Sequence, residues 1–301
     1  MAFEVIGRVV LDVSFTGGER WSEGLLTKLN GYSINPGGAA TNVSANLAFL
    51  GEDVRLRACV GEDFAGKYLV DELTNLGVDH SSVRTAPDEQ TSISLINVAS
   101  GGQIGVANFQ GANVALSIED LPAPNAITWI HVAGLLQLPK LDGQPLADYL
   151  ASVKAVGGRV SANLSRNTRD PTRLFPVLPY LDMLFLNKDE ARDITGQVGV
   201  GAADHLKRLG AKSVFVTSGP DGASVATPTE TFEIQAFPVE AVDTTGCGDA
   251  FAAACLVKFS RTGDARLSAR YGAAAGAWTA TFRGALPARY SFESLDALFP
   301  R

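Results

Sequence analysis

Short apolar runs rich in β-branched residues alternate with longer segments of helical periodicity along most of the chain. FEVIGRVV (3–10), VRLRACV (54–60), ITWIHVA (127–133), RVSAN (159–163), MLFLN (183–187) and SVFVT (213–217) read as strands. Helices are predicted between them at 39–50, 64–76, 143–156, 170–178, 189–195 and 201–209, several closed by a glycine: Gly51, Gly77, Gly157, Gly196 and Gly210. The strands are continuously apolar, not alternating, so both of their faces must be buried. That pattern predicts an α/β fold, a parallel sheet sandwiched between helices in one domain spanning 1–301.

Two stretches depart from this rhythm. Residues 12–36 and 88–115 are rich in Gly, Ser, Thr and Asn, and TSISLINV (91–98), GG (101–102) and QIGVANF (103–109) read as a hairpin with no helix nearby. Both are expected to join in a small sheet that closes over a bound ligand as a lid, or else to form plain surface hairpins. The exposed edge of strand 91–98 is expected to be covered by a second copy of the chain, giving a homodimer. From Asp249 the pattern turns helical, with segments at 249–260, 264–282 and 292–299.

Composition narrows the function classes. With 301 residues, 46% hydrophobic, 31 glycines and 14 prolines, the chain has the profile of a globular enzyme. A net charge of −7 argues against non-specific binding to nucleic acid or a membrane surface. No apolar run approaches a membrane span and the opening Met1-Ala2-Phe3-Glu4 lacks a basic leader, so a cytoplasmic location is expected. Cys59, Cys247 and Cys255 show no metal or disulfide spacing and read as small apolar fillers. The histidines His80, His131 and His205 have no ligand spacing, and His131 reads as a core residue.

The candidate chemistry sits in VDTTGCGDAF (242–251). Gly246 and Gly248 permit a sharp turn with close ligand approach, and the helix that follows points its unpaired N–H groups and positive end into it. Asp249, in the first turn of that helix, is placed to accept a proton from a substrate hydroxyl beside the anion, or else simply complements the helix dipole. A second element, NPGGAATNVSANLAFLG (35–51), puts Gly37, Gly38 and Asn42 at a helix start, where Asn42 offers a donor and an acceptor to hydroxyls; plain N-capping of a buried helix is the alternative. GEDFAGKY (61–68) matches a phosphate-loop spacing only superficially, because Tyr68 replaces the metal-binding hydroxyl and Glu62 and Asp63 would repel phosphate.

With those elements in order, the chain resembles the ribokinase or PfkB family of carbohydrate kinases. The resemblance rests on Gly37-Gly38 with Asn42, Asn187 to Glu190 as N-x-x-E, Thr217 to Gly219 as T-x-G, and Asp243 to Asp249 as D-T-x-G-x-G-D. It implies a three-layer α/β/α sandwich with a β lid, transferring the γ-phosphate of MgATP to a hydroxymethyl group. Asp249 would then be the base, and Gly246, Cys247 and Gly248 the anion hole. Asn187 and Glu190 would organise Mg²⁺ through water, and Thr217 and Gly219 would line the nucleotide site. Asp12, Gly38, Asn42 and Arg166 would hold the sugar, and Asp243 and Thr245, with the Gly284-Ala285 loop, a monovalent cation such as K⁺. A carboxylate at Asp12 also suits paired hydroxyls on its own chemistry.

The chain departs from the family pattern at several places. Cys247 stands where relatives carry alanine and is expected to crowd the turn or make it oxidisable. Ala39 replaces the lysine of ribokinases and is similar to the fructokinase and 2-keto-3-deoxygluconate kinase pattern G-G-A-x-x-N-V. SANLSR (161–166) resembles D-P-N-L-R in Arg166 but has Ala162 at the acid, and Pro139 stands near the position of a sugar-contacting glutamate. These features favour a small sugar or sugar acid, a ketose such as fructose first. A nucleoside acceptor is the alternative, its base stacked on Phe15, Trp21 or Phe109. A catalytically silent binding protein is the third reading, opposed by the intact Asp249 and glycine turn.

Overall fold

The computed structural model describes residues 2–17, 24, 26–98, 104–126, 128–165 and 170–300. In chain order the elements begin with β1 (Ala2–Gly7), β2 (Val10–Thr16), β3 (Gly31–Gly37), α1 (Ala39–Phe49), β4 (Val54–Gly61), α2 (Phe64–Leu76) and β5 (Asp79–Ala86). Next come β6 (Ile93–Val98), β7 (Ile104–Phe109), β8 (Thr128–Leu135), α3 (Gln144–Ala155), β9 (Arg159–Leu164), β10 (Met183–Asn187) and α4 (Lys188–Thr195). The last are α5 (Gly199–Arg208), β11 (Val214–Thr217), β12 (Ala223–Ala226), β13 (Thr231–Ile234), α6 (Cys247–Thr262), α7 (Ala265–Ala280) and α8 (Phe292–Leu298).

Among the described residues, nine strands form one sheet in the order β13-β12-β11-β10-β9-β8-β1-β4-β5. Pairing is parallel from β5 through β11 and antiparallel for β12 and β13. Successive residues of central strands such as β10 and β11 enter different cores, which is why those strands are apolar on both faces. Phe3, Val5, Trp129, Met183, Phe185 and Phe215 pack with α1, α2, α6, α7 and α8 on one face. Ile6, Ile130, Val132, Leu184, Leu186 and Val216 pack with α3, α4 and α5 on the other. Each such buried side chain contributes about 1.5–3 kcal/mol of transfer free energy, so neither layer is dispensable.

A second sheet has the order β3-β2-β6-β7, with β2 and β6 parallel and the outer pairs antiparallel, so β6 is paired on both sides and the exposed edge expected of 91–98 belongs instead to β3 and β7. It draws on both of the stretches that break the βαβ rhythm, apart from the residues outside the description. Asp63 ties it to the body: its carboxylate accepts from the Gly66 amide (2.8 Å) as the cap of α2, and from the Thr91 amide (2.8 Å) and hydroxyl (2.7 Å) at the entry to β6.

Some expectations need correction. The run 3–10 is not one strand: at Arg8 the chain leaves the large sheet, the Arg8 carbonyl accepting the Ala40 amide (3.2 Å), and resumes at Val10 in the small one. A single apolar run cannot report a change of sheet partner. Residues 170–178 are not an α-helix but short 3₁₀ turns at Pro171–Leu174 and Leu178–Tyr180. Pro176 and Pro179 lack the amides that a helix through them would require. Strands β5, β12 and β13 escape the periodicity analysis altogether.

Candidate active site

Strands β1, β8, β9, β10 and β11 run parallel, so their carboxyl ends share one rim, the place where open α/β sheets bind ligands. The first turns of α1 and α6 meet there. Asp249, half-buried in the first turn of α6, accepts hydrogen bonds from Asn42 Nδ2 of α1 at Oδ2 (2.8 Å) and from Asn163 Nδ2 of β9 at Oδ1 (2.7 Å). Desolvation pushes its pKa up to about 6, the two amide donors oppose that rise, and the charge of Glu190 adds to it. Asp249 is therefore a fixed carboxylate that is ionised at neutral pH yet basic enough to take a proton.

Both amides are themselves held. The Asn42 amide N–H donates to the Gly38 carbonyl (3.0 Å), while its side-chain Oδ1 is buried without a hydrogen-bond donor. Asn163 Oδ1 accepts from the Gly134 amide (3.1 Å), which fixes its Nδ2 toward Asp249. Beneath Asn163 lies a buried polar stack: Ser161 Oγ accepts from Trp129 Nε1 (2.9 Å) and lies 2.8 Å from His131 Nδ1. Burial drives the His131 pKa down to about 3, so this ring is neutral, a core residue as its strand context suggested. Asn163 was not singled out from sequence; the signal was the asparagine that SANLSR shares with D-P-N-L-R. Ala162, read there as the position of the acid, is buried in β9.

The glycine turn is built by backbone contact and by Asp243. Gly246 has φ 76°, and a β-carbon there would lie 2.2 Å from the Ala285 carbonyl oxygen. A β-carbon on Gly248 meets nothing within 4 Å, so its face of the turn is open. Asp243 Oδ1 accepts from the Thr245 amide (2.9 Å) and hydroxyl (2.7 Å), and Oδ2 from the Gly284 amide (2.9 Å). Burial would raise its pKa, but these donors together hold it below the ordinary value. The Cys247 amide reaches the Thr244 carbonyl only at 3.4 Å, and the Gly248 and Asp249 amides stand in the first turn, where no intrahelical acceptor exists. Burial, with Asp243 and Asp249 nearby, pushes the Cys247 thiol up to about 12, which disfavours the thiolate form.

The other predicted residues fall along the same rim. Asn187 caps α4 by accepting from the Asp189 and Glu190 amides (both 2.9 Å), while Glu190 Oε2 accepts from the Asn187 amide (2.8 Å). N-x-x-E is thus a capping box at the end of β10 that also brings the Glu190 charge toward Asp249. Thr217 ends β11, its hydroxyl on the Leu186 carbonyl (3.4 Å), and Gly219 opens the next turn into free space at φ 60°. Among the described residues no group of three His, Cys, Asp or Glu gathers to hold a metal. Asp243 and Thr245 offer one carboxylate and one hydroxyl, already engaged with each other, so a monovalent cation there would need carbonyl oxygens as well.

Where the small sheet leads into α1, Asp12 of β2 lies over Gly37: a β-carbon there would come 1.9 Å from Asp12 Oδ2. Desolvation pushes the Asp12 pKa up to about 6, against a hydrogen bond with Ser94 and the charge of Arg8. Gly38, at φ 91°, would place a β-carbon 2.5 Å from the Arg8 carbonyl, so backbone packing explains it without a ligand. Arg166 and Trp21 lie outside the described residues. Of the remaining aromatics, Phe15 is buried and Phe109 exposed.

Known proteins bear on the same geometry. The model of the pfkB family carbohydrate kinases matches residues 3–289. The chain is 33% identical over 250 residues to an ATP-dependent ribose-1-phosphate kinase of Halopiger xanaduensis, covering 83% of this chain and 81% of that one. It is 30% identical over 239 residues to a fructokinase of Klebsiella pneumoniae, covering 76% and 78%. The solved structure of Arabidopsis thaliana ribokinase complexed with ribose and ATP superposes with a TM-score of 0.84 over 100% of both chains at 23% identity, a likeness of fold. No helix among the described residues is long and apolar enough to cross a membrane. The match along nearly the whole chain, on a ribokinase-like fold, makes this protein a member of the pfkB family of carbohydrate kinases, phosphotransferases acting on a sugar or nucleoside.

Proposed function

We propose that the chain transfers the terminal phosphoryl group of MgATP to a hydroxymethyl group of a small sugar or sugar acid. The carrying observation is the placement of Asp249, held by two amides beside an open glycine turn. In this reading Asp249 Oδ takes the proton of the acceptor hydroxyl as its oxygen attacks the γ-phosphorus. The amides of Gly246, Cys247 and Gly248 receive charge that develops on the migrating group. Asp12 and the unpartnered Oδ1 of Asn42 accept hydrogen bonds from sugar hydroxyls. Thr217 and Gly219 border the nucleotide. Mg²⁺ bound with ATP would neutralise phosphate charge; Asn187 and Glu190, both engaged in capping α4, suit contact with it through water better than direct ligation.

The small sheet serves as the lid over the acceptor. Tyr32, Ile34, Leu95, Val106 and Phe109 expose apolar side chains on it, which supports a homodimer through this sheet. Sedimentation equilibrium is expected to give the mass of two chains, with Val106→Lys reverting it to one; a single-chain mass for the unaltered protein ends that assembly.

The function itself is tested by ADP release with MgATP over a panel of sugars, sugar acids and nucleosides. A sugar or sugar acid is expected to give the highest kcat/KM. Preference for a nucleoside would move the chain to the other acceptor class, and no release with any acceptor would refute the proposal.

A further inference from the structure

The acceptor end of the cleft contains a cation that the roles above leave unused. Arg8 stands between β1 and β2, where the chain passes from the large sheet to the small one. Its Nη2 donates to Asn108 Oδ1 of β7 (2.9 Å) and its Nη1 to Gln137 Oε1 beyond β8 (3.3 Å). Both partners are neutral amides. The buried Nε has no acceptor, and among the described residues no carboxylate is in ion-pair contact with Arg8.

These contacts place the guanidinium on the wall of the acceptor site. Asn108 Nδ2 donates to Ser94 Oγ (3.1 Å), and Ser94 shares a hydrogen bond with the Asp12 carboxyl. Gln137 follows β8 and its amide donates to the carbonyl of Gly134 (3.1 Å), whose own amide holds Asn163, the side chain that holds Asp249. Burial lowers the Arg8 pKa and the nearby Asp12 charge only partly opposes this, although a guanidinium stays charged at neutral pH. A desolvated cation with only neutral partners is unfavourable unless an anion joins it. With two amide oxygens fixing its plane, Arg8 keeps an edge with a free Nε–H, the edge that grips a carboxylate or phosphate in bidentate fashion.

We propose that Arg8 selects an anionic acceptor: a small sugar bearing a carboxylate or phosphate away from the hydroxyl that is phosphorylated. This rests on the kinase function above and concerns the same cleft, with Asp12 and Asn42 left for hydroxyls. The competing role for Arg8 is a latch, since through Asn108 it also ties the small sheet to the body.

The test compares kcat/KM for the full chain with MgATP in three arms: neutral sugars (ribose, fructose), sugar acids (gluconate, 2-keto-3-deoxygluconate) and a sugar monophosphate (ribose 1-phosphate). One anionic arm is expected to exceed both neutral sugars by about 100-fold, the scale of a desolvated charge pair. Which arm does so distinguishes carboxylate from phosphate. Arg8→Gln is expected to lose about 100-fold on that acceptor, chiefly through KM, and to change the neutral sugars less than about threefold, whereas Arg8→Lys retains part of the preference. A neutral sugar as best acceptor overturns the inference and leaves the kinase function standing. An equal loss in every arm for Arg8→Gln assigns the residue to the latch and also overturns it. Absence of turnover in all arms refutes the kinase function and this inference with it. Should Arg8→Gln fail to fold by circular dichroism, the ranking of acceptors by the unaltered protein decides alone.

Discussion

Replacing Asp249 by asparagine is expected to lower kcat about 1000-fold, within the range general-base catalysis supplies, while the affinity for ATP or ADP changes little. The amide keeps the size of the carboxyl and loses its basicity. In the unaltered protein kcat/KM is expected to rise with pH and level off above the Asp249 pKa of about 6, because the base works only when deprotonated. The stability effect has the opposite sign. A carboxyl whose folded-state pKa is raised contributes stability below its ordinary range, and that contribution is lost as pH rises through about 6. Asp249→Asn removes this loss, and once Asn42 turns its unpartnered Oδ1 to accept from the new Nδ2 both hydrogen bonds are kept, so at pH 8 its melting temperature is expected to stay close to that of the unaltered protein. Steady-state kinetics against pH and a thermal melt check both halves. Unchanged kcat in the variant would show that Asp249 is only a first-turn acid complementing the helix.

The parts of this molecule legible in the sequence are those whose physics is local. Met183–Leu186 read as a strand because both faces are buried, which leaves no polar position in the run. The edge strand β5 went unseen because it is largely polar and exposed, with Ala86 its buried residue. Strands β12 and β13 have four residues each, too few to establish a period. Leu174, Val177, Leu178 and Leu181 are all buried and recur at helical spacing, so 170–178 resembled a helix although its prolines forbid one.

The site divides in the same way. Gly246 to Asp249 form one contiguous turn, and Asn42 shares a helix start with two glycines, so both carried recognisable chemistry. Asn163 meets Asp249 across 86 residues and Arg8 meets Asn108 across 100, contacts that exist only because α6 packs on the sheet that contains β9 and because β7 joins β2 through β6. No spacing rule encodes such a meeting. The exception is Asn187 to Glu190, where a motif expected to serve the metal also proved to be a helix cap, so that one short pattern carries a structural and a proposed catalytic demand together.

The glycine turn separates those two demands most sharply, through Gly246→Ala and Gly248→Ala. At Gly246 an alanine must adopt φ 76° and bring its methyl 2.2 Å from the Ala285 oxygen, so the backbone itself has to shift. A left-handed alanine alone costs about 1–2 kcal/mol, and the clash adds to it. In the proposed mechanism, displacing the turn also moves the amides that receive the migrating group, and losing one such donor lowers kcat about 100-fold or more. Gly246→Ala is therefore expected to lose both melting temperature and kcat. Gly248 is the second residue of α6, in backbone that alanine adopts without a positive φ, which favours it by about 0.4–1 kcal/mol, and its added methyl meets no protein atom within 4 Å. Gly248→Ala is expected to melt at or above the temperature of the unaltered protein and yet lose about 100-fold in kcat/KM, because the methyl occupies space meant for the phosphoryl group. Thermal melts beside initial rates distinguish the two. Wild-type rates in a well-folded Gly248→Ala would mean that the open face of the turn never receives the phosphoryl group, and Asp249 would then have no neighbouring electrophile to serve.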